Sequence, residues 1–378
     1  MSRNNFEDTT VKIQTLELEK NKRILVVSDI HGCVNYLDGV LKKVGYSKQD
    51  ALVIVGDIIE KGPESLKTVR YILKLKEENS NVYATIGNVD YNRLESYFDN
   101  SPERNRNFIK GLEWSKHVWG CGFFLDILDE MGIDIGEITE ETVEEIKAKI
   151  GEKYAKELNF FRELPTILHI GNFIFVHAGI PTDRLDELTG TEGFRYLKQD
   201  AFLNADVTFQ KTVVVGHWPV CLYREEIDSM NPIFDYKKHI IAIDGGCALK
   251  YGAQLNALLI PDANAGMEEV MYAFYDDFPV IIAEKDQKAR EKSIVVRYYD
   301  CLVELLEEKE DMVKLLHCSS GKVFLAPKSY LYKSKDGLCC SDYTDACLEV
   351  KQGDVLSVVE KTSAGYMVKK DGVIGWYK

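Results

Sequence analysis

Residues 52–63 read LVIVGDIIEKGP, and their order predicts a strand, a loop and the start of a helix. The first four residues are apolar and mostly β-branched, which favours a buried strand that ends at Gly56. Gly62 and Pro63 then open a helix, where the missing N–H of proline costs no hydrogen bond. Asp57 therefore lies at the carboxyl end of a strand, where α/β sheets place their functional sites.

Four other short motifs repeat this arrangement of an apolar run that ends in polar residues. They are Asp29-Ile30-His31-Gly32, Gly87-Asn88-Val89-Asp90, His177-Ala178-Gly179 and Gly216-His217. If the motifs converge on Asp57, the ligand set contains two aspartates, three histidines and one asparagine. Such a set suits two metal ions that share one carboxylate.

These motifs, together with VHAGIP, GHWPV and IDGGC, resemble the calcineurin-like metallophosphoesterases. The resemblance is nearest to the bacterial phosphoprotein phosphatase and diadenosine tetraphosphatase branch, and it covers residues 22–278 with five motifs in family order. It implies an α/β fold in which a βαβ sandwich of two sheets is flanked by helices. The ligands it implies are Asp29, His31 and Asp57 for one metal ion, and Asp57, Asn88, His177 and His217 for the other.

The resemblance also implies a reaction, in which a hydroxide that bridges the two ions attacks a phosphoester or phosphoanhydride. Mixed imidazole and oxygen ligands favour manganese, iron or zinc over calcium or magnesium alone. We expect Asp57, Lys61 and Asp90 to be catalytic residues. We expect Lys61 and Lys198 to bind the phosphate of the substrate.

Three positions depart from the family pattern. Val89 stands where the family has a histidine that protonates the leaving oxygen, and Glu60-Lys61 stands where it has Asp-Arg. In the family the aspartate orients that histidine and the arginine grips phosphate. Lys61 can still attract phosphate, but only as a point charge. We expect the double change Val89→His with Glu60→Asp to restore the proton-donating pair.

Three functions remain open for such a site. The first is a hydrolase of phosphodiesters, pyrophosphate links or aryl esters, whose leaving groups need little protonation. The second is a slow monoesterase acting on proteins or small molecules, with water or Lys61 as the acid. The third is a metal-binding pseudo-phosphatase that works as a scaffold. The complete ligand set favours an enzyme whose substrate is a phosphorylated small molecule, a nucleotide or a phosphoprotein.

The chain outside the motifs predicts an insertion and a C-terminal all-β region. Residues 92–160 are helical in character and read as an insertion over the site. Residues 11–27 suggest a hairpin. From 353 to 376, period-2 alternation with a turn at Asp371-Gly372 resembles a bacterial SH3-like barrel. We therefore expect a metallophosphoesterase domain over 1–278, a second candidate SH3-like unit over 279–326 and an SH3-like domain over 327–378.

The structure of residues 300–316 and the independence of residues 327–378 stay open. Residues 300–316 also nearly fit one face of a connecting helix, which competes with the repeat. If 327–378 folds independently, a chain that ends near Phe278 should fold and keep its activity. The SH3-like units would then bind a protein or peptide partner.

The composition of the chain argues against several classes of protein. The chain has 378 residues, 45% of them apolar, and a formal net charge of −14. Because no basic cluster exists to displace counterions, we expect no direct binding to nucleic acid. The N-terminus lacks the pattern of a signal peptide and no apolar run reaches membrane-spanning length, so we expect a cytoplasmic protein that does not bind membranes. The nine cysteines show neither zinc-ribbon nor disulfide-framework spacing.

Overall fold

The computed structural model describes residues 6, 8–290 and 293–378. Residues 1–5 and 7 of the predicted segment 1–278, and residues 291 and 292 of the predicted segment 279–326, lie outside the described residues. Two compact units are present. The first unit comprises the described residues up to Pro219 with Pro232–Leu249 and Leu255–Tyr275, and the second comprises Val220–Asn231, Lys250–Gln254 and the described part of Asp276–Lys378.

The first unit is an α/β structure. Its helices are α1 Val34–Lys43, α2 Ser65–Glu78, α3 Asn88–Phe98, α4 Pro102–Val118, α5 Phe123–Met131, α6 Val143–Lys153 and α7 Ala155–Glu163. Its strands are β1 Ile13–Leu16, β2 Ile24–Val27, β3 Ala51–Val55, β4 Val82–Thr85, β5 Ile167–Ile170, β6 Phe173–Val176, β7 Thr212–Val215, β8 Ile233–Asp235, β9 Ile240–Ala242, β10 Leu255–Ile260 and β11 Met271–Tyr275. Helices α4 to α7 occupy the segment predicted to be a helical insertion.

These strands form two sheets, as the family resemblance implied. Five strands pair in the order β11-β10-β2-β3-β4, and six pair in the order β1-β5-β6-β7-β9-β8. Strands β2, β3 and β4 are parallel to one another, and so are β6, β7 and β9. Their carboxyl ends therefore bring several strand-to-loop junctions of each sheet to one edge.

The central strands are apolar along their whole length because both faces are buried. Val26 and Val53 face a core that also contains Phe175 of the second sheet. Leu25 and Ile54, one residue away on each strand, belong to a second core with the helices. Side chains alternate between these two cores with the two-residue period of a strand. Each buried side chain of this size contributes roughly 1.5–3 kcal/mol, which holds the strand ends in place.

The predicted hairpin over residues 11–27 is wrong. Strand β1 pairs in parallel with β5, so that Ile13 lies opposite Ile167. Strand β2 instead pairs with β3 and β10 in the other sheet. Local alternation marked both strands correctly but could not reveal a partner about 150 residues away along the chain.

The second unit is all-β. Its strands are β12 Val280–Ile282, β13 Val295–Val296, β14 Val303–Glu308, β15 Met312–His317, β16 Val323–Pro327, β17 Leu331–Ser334, β18 Gly337–Cys340, β19 Tyr343–Thr344, β20 Val355–Thr362, β21 Gly365–Lys370 and β22 Val373–Tyr377. Residues 300–316 thus form strands β14 and β15, and the competing prediction of a helix there is wrong. Short 3₁₀ helices of the two units lie at Ile135–Glu137, Leu185–Leu188, Phe194–Tyr196, Phe202–Asn204, Val220–Tyr223, Met267–Glu269 and Lys328–Tyr330.

Strand pairing joins the two predicted C-terminal segments. The largest sheet has the order β12-β20-β21-β22, and β13 pairs with β19. Strands from 279–326 are therefore hydrogen-bonded to strands from 327–378, and the expected division between residues 326 and 327 does not separate two sheets. Over the part of the chain that is described, no helix combines the length and the apolar character needed to cross a lipid bilayer.

Candidate metal centre

Every predicted metal ligand follows a strand of the first unit. Asp29 and His31 come after β2, Asp57 after β3, and Asn88 after β4 as the first residue of α3, whereas His177 and His217 follow β6 and β7 of the other sheet. The structure brings all six side chains into one cluster. The two sheets each contribute part of it, which explains why motifs so far apart in sequence can act together.

Asp57 lies at the centre of this cluster. Its Oδ2 is 3.6 Å from His31 Nε2 and its Oδ1 is 3.4 Å from His177 Nε2. One potential ligand atom each from Asp29, Asp57 and His177 also lies within 4.8 Å of the others. Asp57 therefore contacts residues of both predicted ligand groups, which is the arrangement expected of a shared carboxylate.

The side chains around Asn88 present atoms with lone pairs that can bind a cation. Its Oδ1 lies 3.0 Å from His177 Nε2 and 2.9 Å from His217 Nδ1. The His177 Nδ1–H donates to the Val55 carbonyl at 3.1 Å, which leaves a lone pair on Nε2. With the amide oxygen of Asn88 toward the two histidines, lone pairs of three side chains face one another, and a bound metal ion would accept all of them. With the amide turned over, its nitrogen donates to both rings instead. The residues present fit the group that the resemblance implies.

The charge states of the histidines agree with this fit. Burial and then Lys61 lower the pKa of His31 to about 3. Burial and then His177 lower the pKa of His217 to about 4, and burial also lowers the pKa of His177. The three imidazoles are therefore uncharged at neutral pH, which is the form that binds a metal ion.

The two buried aspartates differ from each other. Burial, Asp244 and Asp57 raise the pKa of Asp29 well above its ordinary value. Burial alone would raise the pKa of Asp57 too, but His177, His31 and Lys61 lower it to about 2. Two carboxylates buried side by side repel each other, and a cation between them relieves that repulsion.

Four of the six predicted ligands have strained backbone. Asp29, His31, Asp57 and His217 have φ angles of +52°, +48°, +49° and +66°. Left-handed backbone is unfavourable for residues other than glycine, and it persists where surrounding contacts enforce it, often at functional sites. The positions that carry the ligands are thus held in conformations that the isolated chain would avoid.

Two motif glycines are required by close approach of neighbouring atoms. A Cβ on Gly87 would lie 2.1 Å from the Asp57 nitrogen and 2.2 Å from its Oδ1. A Cβ on Gly216 would lie 2.1 Å from Asp29 Oδ2. The glycine before Asn88 and the glycine before His217 therefore leave room for the two aspartates.

Both predicted substrate-binding lysines reach the cluster. Lys61 Nζ lies 3.1 Å from His31 Nε2, and Lys198 Nζ lies 3.4 Å from His217 Nε2. Lys198 also forms a short ion pair with Asp200, whose Oδ1 is 2.9 Å from His217 Nε2. One ammonium group thus stands beside a ligand of each predicted metal group, where it can meet a phosphate anion.

Asp90, which we predicted to be catalytic, is hydrogen-bonded to backbone amides. Its Oδ1 accepts hydrogen bonds from the backbone amides of Ile58 at 2.9 Å and Ile59 at 3.1 Å, and its Oδ2 accepts from Gly87 at 3.1 Å. Both carboxylate oxygens are therefore bound to backbone. The residue holds the loop after Asp57 in place, a supporting role that the family motif alone does not reveal.

Asp200 is a residue of the site that sequence reasoning missed. It orients His217 through the Nε2 contact, which leaves His217 Nδ1 toward Asn88. A carboxylate that holds the far nitrogen of a ligand histidine is a common support of metal sites. The signal available in the sequence was only its place two residues after Lys198, which is too weak to single it out.

Comparisons with known proteins agree with the motifs. The family model described as calcineurin-like phosphoesterase matches residues 22–237. An asymmetrical bis(5'-nucleosyl)-tetraphosphatase from Oceanobacillus iheyensis is 26% identical over 270 residues, which cover 64% of this chain and 89% of the relative. A Bacillus subtilis protein of the same description is 26% identical over 265 residues, covering 63% and 90%. A solved protein serine/threonine phosphatase from Saccharomyces cerevisiae aligns with 73% of this chain and 87% of its own, with 13% identity and a TM-score of 0.42.

Proposed function

The chain belongs to the calcineurin-like phosphoesterase family, and we propose that it hydrolyses phosphoanhydride or activated phosphoester bonds, with dinucleoside polyphosphates as the first candidate substrates. The observation that carries this proposal is Val89, which follows Asn88 at the start of α3. A valine side chain cannot donate a proton to a leaving oxygen. Phosphate and aryl leaving groups depart without such help, whereas alkyl alcohols need it.

The site residues have separate roles in this proposal. Asp29, His31, Asp57, Asn88, His177 and His217 would hold two divalent metal ions, with manganese, iron and zinc as the candidates. Ions at such a site supply positive charge that offsets the repulsion between phosphate oxygens and a nucleophile. Lys61 and Lys198 would hold further phosphate oxygens. Asp57 and Lys61 remain our candidates for residues that touch the reacting group.

The named function of the relatives supports the substrate class. The two bacterial proteins are described as asymmetrical bis(5'-nucleosyl)-tetraphosphatases, and their alignments cover 64% and 63% of this chain. A tetraphosphate chain carries several negative charges, and the two lysines next to ligands of both metal groups suit such an anion. A nucleoside phosphate is also a leaving group that departs without an acid.

The test is a substrate panel with the metal-reconstituted protein. We expect turnover of diadenosine tetraphosphate and aryl phosphodiesters, and little turnover of a phosphoserine peptide. Asp57→Asn should lose most of the bound metal, about two ions per chain in the wild type, and with it the activity. Asp50→Asn is the matched control, because Asp50 is a buried aspartate bound to Arg23 rather than to a ligand. Unchanged metal content in Asp57→Asn would contradict the ligand assignment.

The alternative is a metal-binding scaffold that works through the second unit. That unit is all-β, and the alternation near the C-terminus that resembles an SH3-like barrel corresponds to β20, β21 and β22. In this alternative the wild type binds two metal ions and hydrolyses none of the panel. A protein or peptide captured by the second unit would then be its functional ligand.

A further inference from the structure

Glu60 is buried in the first unit. It stands at the motif position where the family has an aspartate that orients the catalytic histidine, but its contacts here are different. Its carboxylate is 3.1 Å from Arg93 Nη2, accepts a hydrogen bond from Ser115 Oγ at 2.8 Å and accepts another from the Phe123 amide at 2.9 Å. Arg93 Nη2 also donates to Ser115 Oγ at 2.7 Å. The buried charge is therefore paired and hydrogen-bonded, as a stable buried carboxylate requires.

The three partners belong to three consecutive helices. Arg93 lies on α3, Ser115 on α4, and Phe123 is the first residue of α5. We call this arrangement of Glu60, Arg93, Ser115 and Phe123 the Glu60 clasp. Through it, one side chain of the loop after β3 is tied to the helices that follow β4.

The clasp adjoins a strained part of the chain. Glu60 and Lys61 both have left-handed backbone, with φ angles of +68° and +70°. Two consecutive non-glycine residues in this conformation need external contacts to stay there. The Glu60 amide donates to Ser65 Oγ at 2.9 Å, and Cys121 Sγ lies 3.6 Å from the Lys61 carbonyl oxygen.

Helix α5 also contacts the far end of the loop. Asp126 Oδ2 on α5 accepts a hydrogen bond from the Leu66 amide at 2.9 Å, at the start of α2. Helix α5 and the residues before it therefore restrain the loop before, at and after Lys61. The Lys61 ammonium is thereby held 3.1 Å from His31 Nε2.

We propose that Glu60 is a positioning residue, which acts through the clasp to fix the Lys61 ammonium beside the ligand cluster and so sets the affinity of the site for phosphate. The second half of this statement rests on the proposed function, whereas the first half does not. Glutamate suits the role by its length, since its carboxylate meets groups on three helices. The motif position that serves a catalytic histidine in the family serves a phosphate-binding lysine here.

The positioning itself is tested by chemical labelling, which needs neither metal nor substrate. Wild type and Glu60→Gln are treated with an acylating reagent, and the labelling rate of each lysine is measured by mass spectrometry. We expect Lys61 to react about three to ten times faster in Glu60→Gln, with Lys198 as the internal reference. Ser115→Ala removes one contact of the clasp and should give a smaller increase.

Arg70→Gln is the matched control for this experiment. Arg70 on α2 pairs with Glu130 of α5 at 2.7 Å and with Glu157 of α7 at 2.9 Å, so its loss loosens the packing of α5 without removing a contact of the clasp. We expect Lys61 labelling in Arg70→Gln to match the wild type. An unchanged Lys61 rate in Glu60→Gln and Ser115→Ala, or an equal increase in Arg70→Gln, would overturn the proposal.

The effect on phosphate is tested by a double-mutant cycle with inorganic pyrophosphate as the probe, measured by calorimetry on the metal-loaded protein. Glu60→Gln and Lys61→Ala should each weaken binding about tenfold. If Glu60 acts through Lys61, the double variant should bind no more weakly than Lys61→Ala alone. Losses that multiply to about a hundredfold would assign Glu60 an independent structural role.

The two experiments separate the failure of this inference from the failure of the proposed function. A wild type that binds no pyrophosphate and cleaves no phosphoester contradicts the proposed function, but the labelling rates still decide whether Glu60 positions Lys61. In steady-state kinetics, we expect Glu60→Gln to weaken the binding of substrate and transition state equally. KM should then rise while kcat changes little. A fall in kcat alone would contradict the role in phosphate affinity.

Discussion

In the proposed function, Val89 limits the phosphoesters that this site cleaves. Its amide donates a hydrogen bond to Asp57 Oδ1 at 2.9 Å, and its aliphatic side chain has no proton to give. A general acid typically contributes on the order of 10²–10⁴-fold, with the largest effect for poor leaving groups. We expect the rate to fall steeply as the pKa of the leaving group rises, measured with a series of aryl and alkyl monoesters. Equal rates across the series, with chemistry rate-limiting, would contradict a missing acid.

We expect that restoring the acid requires more than the two substitutions that the sequence suggests. The carboxylate of Glu60 is held by Arg93, Ser115 and Phe123, and an aspartate is one methylene too short to keep those contacts. We expect Val89→His with Glu60→Asp to lower the apparent thermal midpoint, at a cost of about 3 kcal/mol, without faster phosphoserine hydrolysis. Val89→His alone is the control and should keep the wild-type midpoint. A tenfold or greater gain in phosphoserine turnover would contradict this revision.

At the scale of the element, the sequence predicted the strands that carry ligands because their signal is local. An apolar run such as residues 52–55 that ends at Gly56-Asp57 contains both the strand and the ligand after it. The pairing of β1 with β5 and the reach of Glu60 to Ser115 depend on partners far along the chain, so no local pattern encodes them. The same limit concealed Asp200, whose role exists only once His217 lies beside it.

Asp126 on helix α5 makes the free energy of unfolding depend on pH. Burial, opposed in part by the Leu66 amide, raises the pKa of this carboxyl to about 6, above its ordinary value of 3.8. Because the folded pKa is raised, the proton is bound more tightly in the folded chain, and stability is lost as the pH rises from about 4 to about 6. Asp126 is half-buried, so solvent screening reduces the expected cost to about 1 kcal/mol.

Urea unfolding of wild type and Asp126→Asn at a series of pH values measures how much Asp126 changes the free energy of unfolding with pH. Asparagine can still accept the Leu66 hydrogen bond but does not ionise. We expect the stability of Asp126→Asn relative to wild type to increase by about 1 kcal/mol as the pH rises from about 4 to about 7. Asp206→Asn, an exposed aspartate outside helix α5, should show no such change. Parallel curves for wild type and Asp126→Asn would contradict the assignment.

At the scale of the whole molecule, the second unit is not a simple C-terminal appendage. It includes Val220–Asn231 and Lys250–Gln254, which lie within the sequence of the first unit. The Met230 amide donates to the Gly372 carbonyl at 3.0 Å, and Arg297 Nη2 donates to Asp228 Oδ1 at 3.1 Å. The chain therefore enters the second unit twice before its final segment begins, a topology that composition alone could not suggest.

This topology reverses the expectation that a chain ending near Phe278 folds on its own. Such a truncation deletes strands β12 to β22 but keeps Val220–Asn231 and Lys250–Gln254, whose buried groups then lose their partners. Lys369, for example, donates to the carbonyl oxygens of Gly252 at 3.2 Å and Ala253 at 3.1 Å. Truncation also exposes apolar side chains of the second unit that are buried in the whole chain, such as Val220, Cys221 and Met230. Because each such exposure costs roughly 1.5–3 kcal/mol, we expect the truncated chain to aggregate or to unfold without a cooperative transition, as followed by size exclusion and thermal melting.

The control for truncation is a chain that is cut without being shortened. The turn at Lys335-Asp336 between β17 and β18 is exposed, so a protease site inserted there should cleave the backbone while every strand stays present. The nicked protein should elute as one species and melt close to the uncut form, because β12 still pairs with β20 and β13 with β19 across the two fragments. A truncated chain that melts cooperatively and binds about two metal ions would show instead that the internal segments need no partner, and would restore the independent domain that the sequence first suggested.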